Sequence, residues 1–166
     1  VEVEADEFGL PPGRIAVENG LLDLHAAAGD GDVAIRDLRP GDYALAQLPV
    51  RYDPDAESER WRQFVGEVVE PAKIEAVQEY VGYTLHRGAM PHAKALLLVG
   101  SGKNGKSTFL NVVRELLGPE QTTSKPVHKF DEENHIADLY GSVANIDADL
   151  SEGSLSSRGI AAFQLR

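Results

Sequence analysis

A glycine-rich stretch past the middle of the chain places a lysine and a hydroxyl group at a spacing suited to phosphate chemistry. Residues 100–107 read Gly-Ser-Gly-Lys-Asn-Gly-Lys-Ser and fit the pattern G-x-x-x-x-G-K-[ST] at every specified position. Glycines allow successive backbone N–H groups to converge on an anion, and the lysine of such a loop reaches the β- and γ-phosphates of a nucleotide. The stretch therefore predicts a nucleoside triphosphate site in which Lys106 contacts phosphate and Ser107 ligates Mg²⁺.

Hydrolysis of a bound nucleotide also needs an acidic group that holds the metal ion or orients water, and a second stretch supplies two candidates. Residues 142–146 predict a short strand, and Asp147 and Asp149 follow it. Because alternate residues of a strand share a face, both carboxylates could approach one ion. The pattern is equally compatible with surface acids at the end of a strand, so the two interpretations stay open at this point.

Apolar patterns on either side of the loop predict the elements that would position it. The continuous aliphatic run 95–99 is typical of a buried parallel strand. Apolar residues recur at helical spacing from Phe109 to Leu117, which predicts a helix that begins near Lys106 and ends at residues 118–119, a Gly-Pro pair. Strand, glycine-rich loop and helix follow one another in the order that a phosphate loop requires.

The first half of the chain predicts strands followed by helices. An Asn-Gly pair at residues 19–20 lies between alternating apolar residues and predicts a hairpin near Asn19, and Pro-Gly-Asp at 40–42 predicts a turn. Asp-Pro-Asp at 53–55 indicates a helix start, and Pro71 suits the first turn of a second helix. We therefore expect a β-rich module over residues 1–52, a helical linker over 53–90 and a partial ATPase domain over 91–166.

Composition limits the class of protein. The chain has 166 residues, of which 42% are hydrophobic and 26% charged, as in a soluble globular protein. It contains no cysteine, which excludes disulfides and thiolate metal sites. Its five histidines show no metal-ligand spacing. No apolar run approaches the ~20 residues of a membrane span, so we expect a cytoplasmic protein without membrane contact. The net charge is −11, yet residues 86–129 carry seven basic and two acidic side chains, a weak indication of contact with nucleic acid.

Beyond the loop itself, several segments resemble the superfamily 3 helicase domain of phage and plasmid primase-helicases, whose relatives include the poxvirus primase-helicase. The narrowest of them is Gly-Lys-Asn-Gly-Lys-Ser-Thr at 102–108. The resemblance runs from about residue 19 to residue 150 and also includes the segments 19–24, 48–54, 79–85 and 139–150. It implies an α/β fold, namely an AAA+-like P-loop NTPase core with a parallel sheet, preceded by a small β-rich module and a helical module.

The same resemblance implies ligands, partners and residue roles. ATP and Mg²⁺ would be bound, and the complete protein would translocate along DNA as a homo-hexameric ring during replication of a virus, provirus or plasmid. Lys106 would be catalytic, and Asp149, ahead of Asp147, would be the acidic residue of the second motif, with Asp149 and Ser107 as Mg²⁺ ligands. The implied nucleotide-binding residues are Gly100, Ser101, Gly102, Lys103, Asn104, Gly105, Lys106, Ser107 and Thr108.

That family carries its sensor strand, DNA-contacting hairpin and arginine finger beyond the second acidic motif. We therefore expect this chain to be a fragment of a longer enzyme, with an ATPase core that is incomplete at the C-terminus. In such sheets the sensor strand lies between the strand before the phosphate loop and the strand of the second motif. Its absence predicts a gap in the sheet, with backbone groups left unpaired.

Two other classes of protein are compatible with the loop. A small-molecule or nucleotide kinase would need lid arginines, and only Arg114, Arg158 and Arg166 follow the loop. A nucleotide-binding or ring-assembly module without turnover would need no further groups. A GTPase is excluded, because the chain contains no Asn-Lys-x-Asp guanine motif.

Overall fold

The computed structural model describes residues 10–25, 33–44, 46–85, 94–130, 139, 141–148 and 150. The chain divides into two compact units, Val1–Met90 and Pro91–Arg166. Over the described residues the first unit contains β1 (Arg14–Val17), β2 (Gly20–Asp23), β3 (Ala34–Arg36), α1 (Glu59–Val68) and α2 (Ile74–Thr84). The second contains α3 (Lys106–Leu117), β4 (Thr122–Thr123) and β5 (Ala144–Asn145). The predicted α/β core and the predicted division into three segments both stay predictions.

The hairpin predicted near Asn19 is confirmed, but its turn lies one residue earlier than an Asn-Gly turn would. β1 and β2 are antiparallel with Val17 opposite Gly20, so Glu18 and Asn19 occupy the two turn positions. Gly20 is instead the first residue of β2, which pairs with β3 on its other side. A Cβ at Gly20 would collide with the backbone oxygen of Arg36. The glycine is therefore required by the close approach of β3 and not by the turn.

A segment from Gln47 to Tyr52 lies along the free edge of β1. The Leu48 amide donates to the Ala16 carbonyl at 2.9 Å, and the Glu18 amide donates to the Val50 carbonyl at 2.9 Å. These contacts cover the strand edge and bury the apolar side chains of the hairpin. Among the described residues of the first unit, the buried hydrophobic side chains are those of Ile15, Ala16, Val17, Leu21, Leu22, Leu48 and Val65.

An ion pair fixes the predicted turn at Pro40–Asp42, which the structure confirms as a short 3-10 helix. The Arg36 guanidinium donates to both Asp42 carboxylate oxygens, at 2.8 and 2.5 Å, and the Arg39 amide donates to the same carboxylate at 2.7 Å. The Arg36 hydrogen bonds, followed by the Arg39 amide, hold the pKa of Asp42 well below its usual range. The turn is therefore joined to β3 by a carboxylate that is stable in its charged form.

The two predicted helices of the first unit are present, although α1 begins at Glu59, later than residues 53–55 suggested. The Asp53 carboxylate accepts the Asp55 amide at 3.0 Å, and the Asp53 carbonyl accepts the Ala56 amide at 3.2 Å. Asp53 therefore closes a local turn instead of capping the helix. Pro71–Lys73 forms a 3-10 turn that leads directly into α2, as the position of Pro71 predicted.

In the second unit, α3 spans Lys106–Leu117 and confirms the predicted helix. Phe109, Val113 and Leu117 are buried along one stripe, and Leu117 is fully enclosed. After the helix, β4 pairs with β5 in parallel, with Thr122 opposite Ala144. The predicted strand over 142–146 is thus present as the shorter β5.

The prediction of a buried parallel strand over residues 95–99 is wrong for this structure. Within the part of the chain that the structure describes, none of these residues pairs with a strand, and Val99 is 85% exposed. Leu96 and Leu98 are half-buried and Leu97 is exposed, so burial alternates along the segment instead of being continuous. A parallel strand needs neighbours that satisfy its backbone groups, and the described residues place none there.

Candidate phosphate-binding site

Two residues of the glycine-rich loop have a positive φ just before α3. Lys103 has a φ of 60° and Gly105 a φ of 81°, whereas the φ angles of Gly102 and Asn104 are not positive. Successive residues of opposite hand turn their N–H groups toward the same side and form a concave site for an anion. Glycine adopts this conformation readily at 105, but Lys103 adopts it against the preference of a residue with a side chain.

The loop ends at the N-terminus of α3, where Gly105 is the N-cap residue. The first amides of any α-helix have no acceptor within the helix, and the helix dipole makes this end favourable for negative charge. Here those amides belong to Lys106, Ser107 and Thr108, and the last two residues are exposed. The start of α3 and the glycine-rich loop can therefore contribute donors to one anion.

The ammonium group of Lys106 lies folded back into the loop. Its Nζ donates to the carbonyl of Gly100 at 2.9 Å, to the carbonyl of Ser101 at 3.2 Å and to Oδ1 of Asn104 at 2.7 Å. A Cβ at Gly100 would collide with the amide nitrogen of Asn104. The structure thus brings together four of the nine predicted nucleotide-binding residues around one positive charge: Gly100, Ser101, Asn104 and Lys106.

The predicted acidic pair is only partly described. Asp147 follows β5 and is not part of the strand, and its Oδ2 accepts the backbone amide of Val127 at 3.0 Å. Asp149, predicted as the first-choice carboxylate and Mg²⁺ ligand, lies outside the described residues. Because β5 ends at Asn145, the strand does not place Asp147 on the face that the sequence predicted it to share with Asp149. In this structure the Asp147 carboxylate helps to hold the 3-10 turn at Val127–Lys129.

Asn145 at the end of β5 is a positioning residue that sequence reasoning missed. Its Oδ1 accepts the Thr123 hydroxyl at 3.0 Å and the Lys125 amide at 2.7 Å, and its Nδ2 donates to the Lys125 carbonyl at 2.9 Å. The amide group thus pairs with the backbone after β4 as a further strand residue would. The available signal was that Asn145 is a polar residue within an apolar run and that an acidic residue, Asp147, follows two positions later.

Metal-ligating side chains are not clustered in the part of the chain that the structure describes. No group of three or more His, Asp or Glu residues there could hold a metal ion.

None of the helices over the same residues is long and apolar enough to cross a bilayer.

A family model matches the N-terminal region of the chain. Residues 1–70 match the family model described as D5 N terminal like. The matched residues include the hairpin, β3 and α1, and they end before the glycine-rich loop. No curated protein matches the chain. The match covers less than half of the chain and supports a relation to the D5-like primase-helicase proteins.

Proposed function

We propose that this chain is the ATP-binding and ATP-hydrolysing helicase part of a viral, plasmid or proviral DNA primase-helicase. The observation that carries the proposal is the Lys106 ammonium, held by loop oxygens at the start of α3, in a loop where Lys103 and Gly105 have positive φ. The loop fits the phosphate-binding pattern in sequence. The family match over residues 1–70 favours a replication enzyme over the other classes that use such a loop.

Each part of the loop has a role in this proposal. The converging amides of residues 102–105 and the first turn of α3 would bind phosphate oxygens, and Lys106 would neutralise charge on the β- and γ-phosphates. Ser107, exposed in the first turn, would ligate Mg²⁺. Asp149 would complete the metal site or orient water, with Asp147 as the second choice.

The metal ion of this proposal enters with the nucleotide. Mg²⁺ at phosphate sites commonly takes only one or two protein ligands, and phosphate oxygens and water supply the rest. One hydroxyl and one carboxylate therefore suffice in this proposal. When bound, the ion would shield the charge that develops on the transferring phosphoryl group.

Replacement of Lys106 by alanine tests nucleotide binding. The 166-residue protein is titrated with a fluorescent ATP analogue in the presence of Mg²⁺, and Lys106→Ala should weaken binding at least about tenfold, a typical loss for one charged contact. Lys129→Ala is the matched control, because it removes an exposed lysine of the same unit that lies outside the loop. Equal affinity of wild type and Lys106→Ala would overturn the proposal.

The motor activity is tested separately through DNA. We expect DNA to stimulate ATP hydrolysis by the complete primase-helicase, assembled as a homo-hexamer, and Lys106→Ala to abolish that stimulation. Hydrolysis that is unchanged by DNA would contradict the helicase assignment while leaving nucleotide binding intact.

One observation favours a second candidate, a nucleotide-binding or ring-assembly module without turnover. Asp147 is already engaged by the Val127 amide, so this carboxylate is not free to serve a metal ion without giving up that contact. The two candidates differ in one readout. Binding of MgATP that depends on Lys106, without hydrolysis in either the presence or the absence of DNA, would favour the non-catalytic module.

A further inference from the structure

The hydrogen-bonding capacity of the Lys106 ammonium is fully used within the loop. An ammonium group has three N–H donors and no acceptor. Three loop oxygens accept from Nζ, at 2.9 Å (Gly100 carbonyl), 3.2 Å (Ser101 carbonyl) and 2.7 Å (Asn104 Oδ1). An incoming phosphate oxygen must therefore replace one of these three acceptors before it can contact Lys106 directly.

The three acceptors differ in how easily they can leave. The two carbonyls belong to the backbone of Gly100 and Ser101, so their movement requires a change in the path of the chain. Asn104 reaches Lys106 through its side chain, which can leave by rotation about two bonds. Displacement of Asn104 by a ligand therefore needs a smaller conformational change than displacement of either carbonyl.

The position of the Asn104 amide supports this assignment. Its Nδ2 lies so close to Gly100 that a Cβ there would collide with it, so the side chain extends back across four residues of the loop. Asn104 is half-buried, whereas Ser101, Gly102 and Lys103 are exposed. The amide group thus lies between the lysine and the first glycine, within the loop itself.

We propose that Asn104 is a positioning residue that occupies the place of a phosphate oxygen on Lys106 and is displaced when a polyphosphate binds. The inference rests on the proposed nucleotide-binding function and adds a built-in competitor to that site. The amide holds the ammonium in the loop, so the lysine is ordered before the ligand arrives. The same contact lowers the apparent affinity, because only the displaced state is competent to bind.

Substitution of Asn104 separates this role from a structural one. Asn104→Ala removes the competing acceptor and should tighten binding about tenfold, the lower end expected for loss of a hydrogen bond to a charged group. Asn104→Asp should weaken binding more than about tenfold, because the carboxylate pairs with Lys106 and repels phosphate. Asn111→Ala, an exposed asparagine of α3, is the matched control and should leave affinity unchanged.

The experiment is a calorimetric titration of the 166-residue protein with inorganic tripolyphosphate and Mg²⁺, carried to millimolar ligand. The variants are combined in a double-mutant cycle with Lys106→Ala, which isolates the coupling between the two residues. Because Asn104 acts through Lys106, Asn104→Ala should have no effect in the Lys106→Ala background. Far-UV circular dichroism of each variant verifies that helix content is retained.

The outcomes distinguish this inference from the function on which it rests. Tighter binding by Asn104→Ala that disappears in the double variant supports the competitor role. Unchanged or weaker binding by Asn104→Ala, with wild-type binding still dependent on Lys106, overturns the competitor role and leaves the nucleotide site in place. Equal binding by wild type and Lys106→Ala overturns the proposed function and the inference together.

Discussion

Asn19→Ala should strongly destabilise the first unit, because the Asn19 side chain joins two segments that are 33 residues apart in sequence. Its Nδ2 donates to the Tyr52 carbonyl at 2.9 Å, and its Oδ1 accepts the Tyr52 amide at 2.8 Å. The side chain thus satisfies both backbone groups of Tyr52 in the way that a neighbouring strand would. Alanine leaves both of these part-buried groups without this partner.

The expected magnitude follows from the two hydrogen bonds. Each contributes about 0.5–1.5 kcal/mol net, so their loss should lower the free energy of unfolding by about 2 kcal/mol. For a unit of this size that corresponds to a decrease in Tm of roughly 10 °C. Asn19→Asp keeps an acceptor for the Tyr52 amide but loses the donor, so about half of the destabilisation should remain.

Urea unfolding followed by tryptophan fluorescence measures the effect in the correct unit. The chain has one tryptophan, Trp61, and it lies on α1 in the first unit. Glu18→Ala is the matched control, because it changes the exposed neighbour in the same turn and should shift stability by less than about 0.5 kcal/mol. If Asn19→Ala is no less stable than Glu18→Ala, the claim that this side chain joins the two segments is wrong.

Two further predictions concern the same unit and use the same fluorescence assay. Gly20→Ala should cost about 2 kcal/mol or more, because its Cβ would collide with the Arg36 backbone. Gly66→Ala, in open space inside α1, should raise the free energy of unfolding by up to about 1 kcal/mol. A less stable Gly66→Ala variant, or a Gly20→Ala variant as stable as wild type, would contradict the packing described. A last prediction for this unit is that the contribution of Asp42 to stability depends on pH. Folding lowers the pKa of Asp42, so its carboxylate stabilises the folded unit above about pH 4, and that stabilisation is lost as the pH falls through the lowered pKa. Asp42→Asn should reduce the urea midpoint at pH 7 and make it less sensitive to acid, and parallel pH profiles for variant and wild type would disprove this.

The elements that were predicted correctly depend on contacts close in sequence. The hairpin at β1 and β2, the turn at Pro40–Asp42 and helix α3 each arise from a few neighbouring residues with strong local preferences. Gly118 ends α3, as its position after the last apolar residue predicted. Local preference leaves the register of the hairpin turn open, because both registers suit a short hairpin, and the packing of β3 against Gly20 selects between them.

The elements that were not predicted depend on partners distant in sequence. The residues around Asn19 and Asn145 do not indicate which distant backbone each side-chain amide pairs with, that of Tyr52 and that of Lys125 respectively. Nor does the aliphatic composition of residues 95–99 indicate whether a neighbouring strand is present. Composition predicts that a segment can form a buried strand, whereas pairing decides whether it does.

The same distinction explains why the loop around Lys106 is formed while residues 95–99 pair with no strand among the residues that the structure describes. The positive φ of Gly105, the start of α3 and the bonds to Lys106 all lie within residues 100–109, and α3 is anchored by Phe109, Val113 and Leu117. The loop therefore takes its shape from α3 and from its own side chains, and it does not need residues 95–99 to lie in a sheet. Changes at Asn104 or Lys106 should consequently alter anion binding with little effect on the core of the second unit. A variant that unfolded this unit by changing Asn104 alone would show that the loop, and not the helix, supports the structure.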